Sequence, residues 1–178
     1  MKVQVIYSSL TGCTEKVAKA IYDGLETQEN SIHNIKDGAP KLDGDIILVG
    51  YWCMGPGPNK EFQDFLRTIK GKAVGIFCTL GFYSDSAYAQ STLVTAQNIL
   101  KENNEIIGCC ACMGKTADSL KNYTNEDKTP ALQKEVRWEI TDAHPTKAEC
   151  ALASERFNER IYIYKRCKEL GIEFTPIL

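Results

Sequence analysis

The sequence has almost no net charge: 21 lysines and arginines stand against 23 aspartates and glutamates, leaving −2 over 178 residues. Both signs are scattered, so neither nucleic acid nor an anionic membrane is an implied partner. Long hydrophobic runs are missing as well. The longest, Ile46 to Gly55, is about half a bilayer span, which excludes a membrane-spanning helix. Histidine is nearly absent, with only His33 and His144, and there are no internal repeats or low-complexity tracts. The opening residues Met1 to Ile6 run straight into a strand pattern and lack the apolar core of a secretion signal, so a cytoplasmic location is expected. Hydrophobic residues at 43% and charged residues at 25% are ordinary globular values, which excludes disordered, collagen-like and coiled-coil classes. The length predicts one domain spanning residues 1–178.

Cysteine is the exception to this scarcity, with eight: Cys13, Cys53, Cys78, Cys109, Cys110, Cys112, Cys150 and Cys167. A chain of this length buries a core without disulfide staples. Cys109-Cys110-x-Cys112 does not repeat as paired C-x-x-C units, and neither histidine lies near it in sequence, so no metal or iron–sulfur centre is expected. Reduced and mostly buried thiols are the expectation. Alternation along a strand puts Cys110 and Cys112 on one face and Cys109 on the other.

Short β-rich runs alternate with longer helical periods, the pattern of βαβ units and a parallel sheet. Strands are expected at Lys2–Tyr7, Ser31–Lys36, Asp45–Trp52, Lys72–Thr79 and Glu105–Met113. The second is short and polar, as an edge strand would be, whereas Ile46, Ile47, Leu48 and Val49 are apolar on both faces, as a central strand requires. Helices are expected from about Thr14 to Thr27, after an Asn59 N-cap, from about Ser86 to Glu102, and from a Thr146/Glu149 capping box to a Gly171 terminator. Five strands with intervening helices predict a doubly wound α/β fold with helices on both faces. Ligands in such folds bind beyond the carboxyl ends of the strands.

The first such loop is Ser8-Ser9-Leu10-Thr11-Gly12-Cys13-Thr14. It gathers four hydroxyls, a glycine and the free amides of a helix N-terminus, a setting that favours a phosphate. Capping alone needs one hydroxyl rather than four. No lysine or arginine lies inside the loop; Lys16 and Lys19 come only within the helix. The nucleotide-triphosphate motif G-x-x-x-x-G-K-[ST] and the dinucleotide motif G-x-G-x-x-G are both absent. A response-regulator receiver would need carboxylates where Tyr7 and Ser8 stand. A low-molecular-weight phosphatase would need arginine six residues after its cysteine, where Lys19 follows Cys13 without the planar fork that grips a phosphoryl group.

Ser9-Leu10-Thr11-Gly12-Cys13-Thr14 resembles the [ST]-x-T-G-x-T phosphate loop of flavodoxins. The resemblance implies a five-stranded parallel sheet in the order 2-1-3-4-5 and a bound FMN whose phosphate is held by amides and hydroxyls. It also implies that the loops after the third and fourth strands flank the flavin ring. Those loops are Tyr51-Trp52-Cys53-Met54-Gly55-Pro56-Gly57 and Thr79-Leu80-Gly81-Phe82-Tyr83. Trp52 is the candidate for one face of the ring and Tyr83 or Phe82 for the other, and Gly55 or Gly57 for the flexible peptide that faces flavin N5. An electron-rich ring stacked on a flavin disfavours its anionic reduced form. The competing possibility is that Trp52 and Phe82 only pack the end of the sheet. The T-L-G turn Thr79-Leu80-Gly81 is similar to that of flavodoxin-like proteins from anaerobic bacteria.

Two features depart from the family. Residues 115–145 are additional, since a compact flavodoxin passes from its fifth strand to its last helix through a short loop. The segment leaves the flavin side of the sheet, where it is expected to form a lid or docking surface over the dimethylbenzene edge. The near-zero charge also departs from the acidic field typical of flavodoxins, so partner recognition by contact shape is expected.

The resemblance implies an electron carrier between redox partner proteins, a reductase donor and an acceptor enzyme, as a monomer or weak dimer with no catalytic acid or base. The alternative is an FMN-dependent NAD(P)H:quinone-type or azo-type reductase of the same fold. A further possibility is a binding module that has lost its flavin.

Overall fold

In a computed structural model the described residues are 1–121 and 130–175. The elements are β1 (Val3–Tyr7), α1 (Cys13–Asp23), β2 (Asn30–Asn34), β3 (Ile46–Trp52), α2 (Lys60–Leu66), β4 (Ala73–Leu80), α3 (Ala87–Leu100), β5 (Glu105–Met113), α4 (Asp118–Lys121), α5 (Ala131–Asp142) and α6 (Lys147–Leu170). The five strands form one parallel sheet in the order β2-β1-β3-β4-β5. The expected order and the edge position of the polar β2 are both observed.

Each face of the sheet carries its own core. Val3, Val5, Leu48, Phe77, Cys110 and Cys112 pack under α1 and α6. Ile6, Ile47, Val49, Tyr51 and Cys78 pack under α2 and α3, joined by Cys109 and Ala111 of β5. The cysteines of β5 therefore divide between the faces as alternation requires. Ile46, Ile47, Leu48 and Val49 are wholly buried, each such aliphatic side chain contributing about 1.5–3 kcal/mol. All eight cysteines are free thiols. Among the described residues, no helix is long and apolar enough to cross a membrane.

Several boundaries differ from expectation, each for a local reason. Helix α1 stops at Asp23 instead of Thr27 because Gly24 follows; a Cβ there would stand 2.2 Å from Ser154 Oγ of α6. Strand β2 ends at Asn34, whose side chain accepts from the Lys36 amide at 3.1 Å and opens a single 3₁₀ turn. Asn59 occupies the N-cap of α2 but makes no capping bond. The helix is over by Leu66, so Ile69 reaches the core from the turn beyond it. The last helix matches expectation: Thr146 and Glu149 form a reciprocal capping box, and Gly171 ends it in the left-handed region at φ 66°. Within the additional segment, α4 and α5 are helical, and residues 122–129 lie outside the described residues.

Candidate functional site

The parallel sheet brings the loops after β1, β3, β4 and β5 to one edge. The chain leaves β1 in opposite lateral directions to β2 and β3, which opens a crevice at that edge. The first loop begins as an extension of the ladder, with the Ser8 amide donating to the Gly50 carbonyl at 2.9 Å. Ser8 and Ser9 are buried. The Glu15 amide donates to Ser9 Oγ at 3.3 Å, and Gly12 caps α1 at φ 87°, a conformation that a side chain would resist. Among the described residues, the amides of Leu10, Thr11, Gly12, Cys13 and Thr14 have no protein acceptor. Five unsatisfied donors at a helix start constitute a cradle for a phosphate monoester.

The hydroxyls of the loop are not equivalent. Thr14 is buried and its Oγ1 lies 2.8 Å from Thr79 Oγ1 at the end of β4. Thr11 is exposed and donates to the Lys115 carbonyl at 3.4 Å. Cys13 is buried; its Sγ accepts from the Lys115 amide at 3.2 Å and donates to the His144 carbonyl at 3.5 Å. The additional segment thus starts and ends on the sulfur of Cys13.

After β3, Tyr51 points into the core, its hydroxyl donating to the Thr92 carbonyl at 2.9 Å. Burial pushes its phenol well above the ordinary value, and only its main chain is left for a ligand. Trp52 is partly exposed and faces the crevice. The Cys53 amide donates to the Thr79 carbonyl at 3.1 Å, while the Met54 amide donates to Gly57 and closes a tight turn. Gly55 in that turn adopts φ 63°. Its carbonyl is held by the Tyr88 hydroxyl, a role that the helical placement of Tyr88 gave no sign of. Met54, at the tip, is exposed.

After β4, Leu80 is buried, and Gly81 lies so close to the additional segment that a Cβ would stand 1.9 Å from Thr116 Oγ1. Phe82 is engaged by two neighbours, with the Tyr88 ring centroid at 4.8 Å and the Arg137 guanidinium 4.0 Å from its own centroid. Tyr83 is half exposed. The candidates for ring flanking therefore separate: Trp52 lines the crevice, Tyr83 is open to solvent, and Phe82 is already covered.

The crevice between these loops is a cavity of about 50 Å³ lined by Leu10, Thr11, Trp52, Gly81, Lys115 and Thr116, among others. That is room for one or two waters. A tricyclic ring enters between Trp52 and Gly81 only if the stretch Thr116–Leu120 draws back. Sequence analysis put residues 115–145 on this side of the sheet, and the structure brings Lys115 to Thr11 and Cys13 and Thr116 against Gly81.

Three thiols of β4 and β5 are shifted upward. Hydrogen bonding by Cys53, then burial, raises Cys78 well above the ordinary thiol value. Burial pushes Cys109 to about 11, and hydrogen bonding by Cys110 followed by burial raises Cys112. Thiols so shifted are poor nucleophiles. Among the described residues, no group of three histidine, cysteine or acidic side chains could hold a metal ion.

Comparison with known proteins gives one family, described as flavodoxin domain, which matches residues 4–158. A Clostridioides difficile protein, the flavodoxin-like domain-containing protein BilS, is 32% identical over 164 residues, covering 86% of this chain and 93% of that one. Solved structures with lower likeness include oxidised flavodoxin 1 from Bacillus cereus (20% identity, 79% of this chain and 95% of that one, TM-score 0.47). Another is a flavoprotein in complex with FMN from Lactobacillus acidophilus (15% identity, 68% and 97%, TM-score 0.48).

Proposed function

This chain belongs to the flavodoxin domain family, and from that premise we propose that it binds FMN non-covalently and carries electrons between redox proteins in the cytoplasm. The observation that carries the proposal is the set of five unpaired amides from Leu10 to Thr14, beside the Ser9 and Thr11 hydroxyls, at the start of α1. This donor set suits a phosphate and has no other use within the described residues.

The flavin, when bound, supplies the one- and two-electron chemistry. The protein's part is to hold and tune it. Ser9, Thr11 and the loop amides bind the phosphate, with Thr14 braced against Thr79 so that the loop keeps its shape. Trp52 covers one face of the ring and Tyr83 the other. The Gly55 peptide, held by Tyr88, shapes the edge near N5. The stretch from Lys115 to Leu120, which lines the crevice, would act as a lid and keep water from the ring.

The test is the absorption spectrum of the purified protein, alone and after addition of FMN. Oxidised-flavin bands and quenching of FMN fluorescence are expected. A colourless protein that leaves FMN fluorescence untouched would overturn the proposal.

A further inference from the structure

A phosphate monoester carries roughly −1.5 to −2 charges at neutral pH, yet the loop from Ser8 to Thr14 contains no cation. The chain's fold supplies one from elsewhere. Lys115 is joined to the loop by its own main chain, its carbonyl accepting from Thr11 Oγ1 at 3.4 Å and its amide donating to Cys13 Sγ at 3.2 Å. Lys115 lines the crevice together with Leu10 and Thr11 and is the one charged residue there among the described residues. The basic residues nearest in sequence are placed otherwise. Lys19 is paired with Glu15 and lines a separate cavity with Tyr7 and His33, and Lys16 is exposed on α1.

The Lys115 ammonium stands 3.9 Å from Asp142 Oδ2, at the last residue of α5, and both side chains are 43% exposed. At that separation and exposure the ion pair is loose. We propose that Lys115 is the countercharge for the phosphate of FMN, and that Asp142 holds the ammonium beside the loop until the phosphate displaces it. A dianion cradled by amides attracts the ammonium more strongly than one half-exposed carboxylate at the limit of contact. Binding of the phosphate then frees the end of α5 from the phosphate loop, which links occupancy of the site to the additional segment.

This inference rests on the FMN proposal, and comparison of FMN with riboflavin, which lacks the phosphate, keeps the two separable. Dissociation constants for both ligands are measured by flavin fluorescence quenching, at two salt concentrations, for the unaltered chain and for K115Q, K115R and D142N. The loss of a charge-assisted contact in K115Q weakens FMN on the order of tenfold or more and leaves riboflavin unchanged; K115R keeps most of the FMN preference. D142N removes the competitor and leaves FMN binding equal or tighter, and K115Q flattens the salt dependence of FMN binding. Equal effects of K115Q on FMN and riboflavin, or none on FMN, overturn the role of Lys115. A D142N variant that weakens FMN as K115Q does overturns it too, since the pair would then serve only to hold the segment. If the unaltered chain binds neither ligand, the FMN proposal itself fails first.

Discussion

Thr14 Oγ1 and Thr79 Oγ1 lie 2.8 Å apart in the interior, one at the start of α1 and the other at the end of β4. This contact ties the helix that follows the first loop to the strand that leads into the Gly81–Tyr83 loop. Removing one hydroxyl leaves the other buried without its partner, at a cost of about 1–3 kcal/mol, whereas removing both with valine is far cheaper. Urea denaturation of T14V, T79V and T14V/T79V should therefore give a double variant less destabilised than the sum of the singles. Simple additivity would show that the pair is not coupled.

Gly12 stands at φ 87° with open space where a Cβ would go. The strain of a side chain there is thus one of backbone conformation alone. G12A should lose about 1–2 kcal/mol of stability and weaken FMN, because relaxing the backbone turns the neighbouring amides away from the phosphate. A G12A protein of unchanged stability and FMN affinity would remove the loop from the proposed site.

Trp52 and Phe82 should behave oppositely. If Trp52 stacks on the ring, W52A relieves the reduced flavin of an electron-rich neighbour and raises the potential of its reduction, on the order of tens of millivolts. F82A, which removes a ring already covered by Tyr88 and Arg137, should leave the potential nearly unchanged. Spectroelectrochemical titration of the two variants decides between them.

A carrier and a reductase part company on mixing with NADPH. If the chain is a carrier, the flavin-loaded protein should remain oxidised for seconds after stopped-flow mixing. Flavin bleaching in that time would favour the reductase function.

Glu149 offers a pH test. Its carboxylate accepts from the Thr146 amide and hydroxyl at 2.7 and 2.8 Å and lies 2.6 Å from His144 Nδ1. Burial raises its pKa, but these contacts outweigh burial and hold it below the ordinary value of 4.5. A lowered carboxyl pKa contributes stability that is present above the unfolded value and is lost as the pH falls through the folded one. E149Q should be less stable than the parent at neutral pH, and the difference should begin to shrink as the pH falls past the unfolded carboxyl value of about 4.3 and vanish only below the lowered folded one. A difference that persists in acid would assign the effect to hydrogen bonding rather than charge.

The fold was largely legible because its signals are local. The apolar run in β3, the capping box at Thr146 and the polar edge strand each rest on a few adjacent residues. The position of the hydroxyl-rich loop Ser8–Thr14 at the start of α1 was legible for the same reason. What sequence could not show depends on elements distant along the chain. Lys115 reaches the first loop through sheet order, and Tyr88 holds Gly55 across thirty-three positions. Tyr51 looked like a site residue by its neighbours, yet strand alternation sends its side chain into the core. Helix α5 has apolar residues at helical spacing, Leu132, Val136 and Ile140, but all three are exposed, so periodicity located no buried face there.

The sulfur of Cys13 meets the main chain at both Lys115 and His144, so the path between them departs from and rejoins the sheet at one point. A detour with coincident ends is a cassette. Shortening it to a few residues changes the entropy of closing the chain by only on the order of 2 kcal/mol, and the strand order on either side does not depend on what it contains. Such a module could be exchanged for another of different length or surface while the five-stranded scaffold stays as it is, which gives one fold a way to present new surfaces beside the same loops.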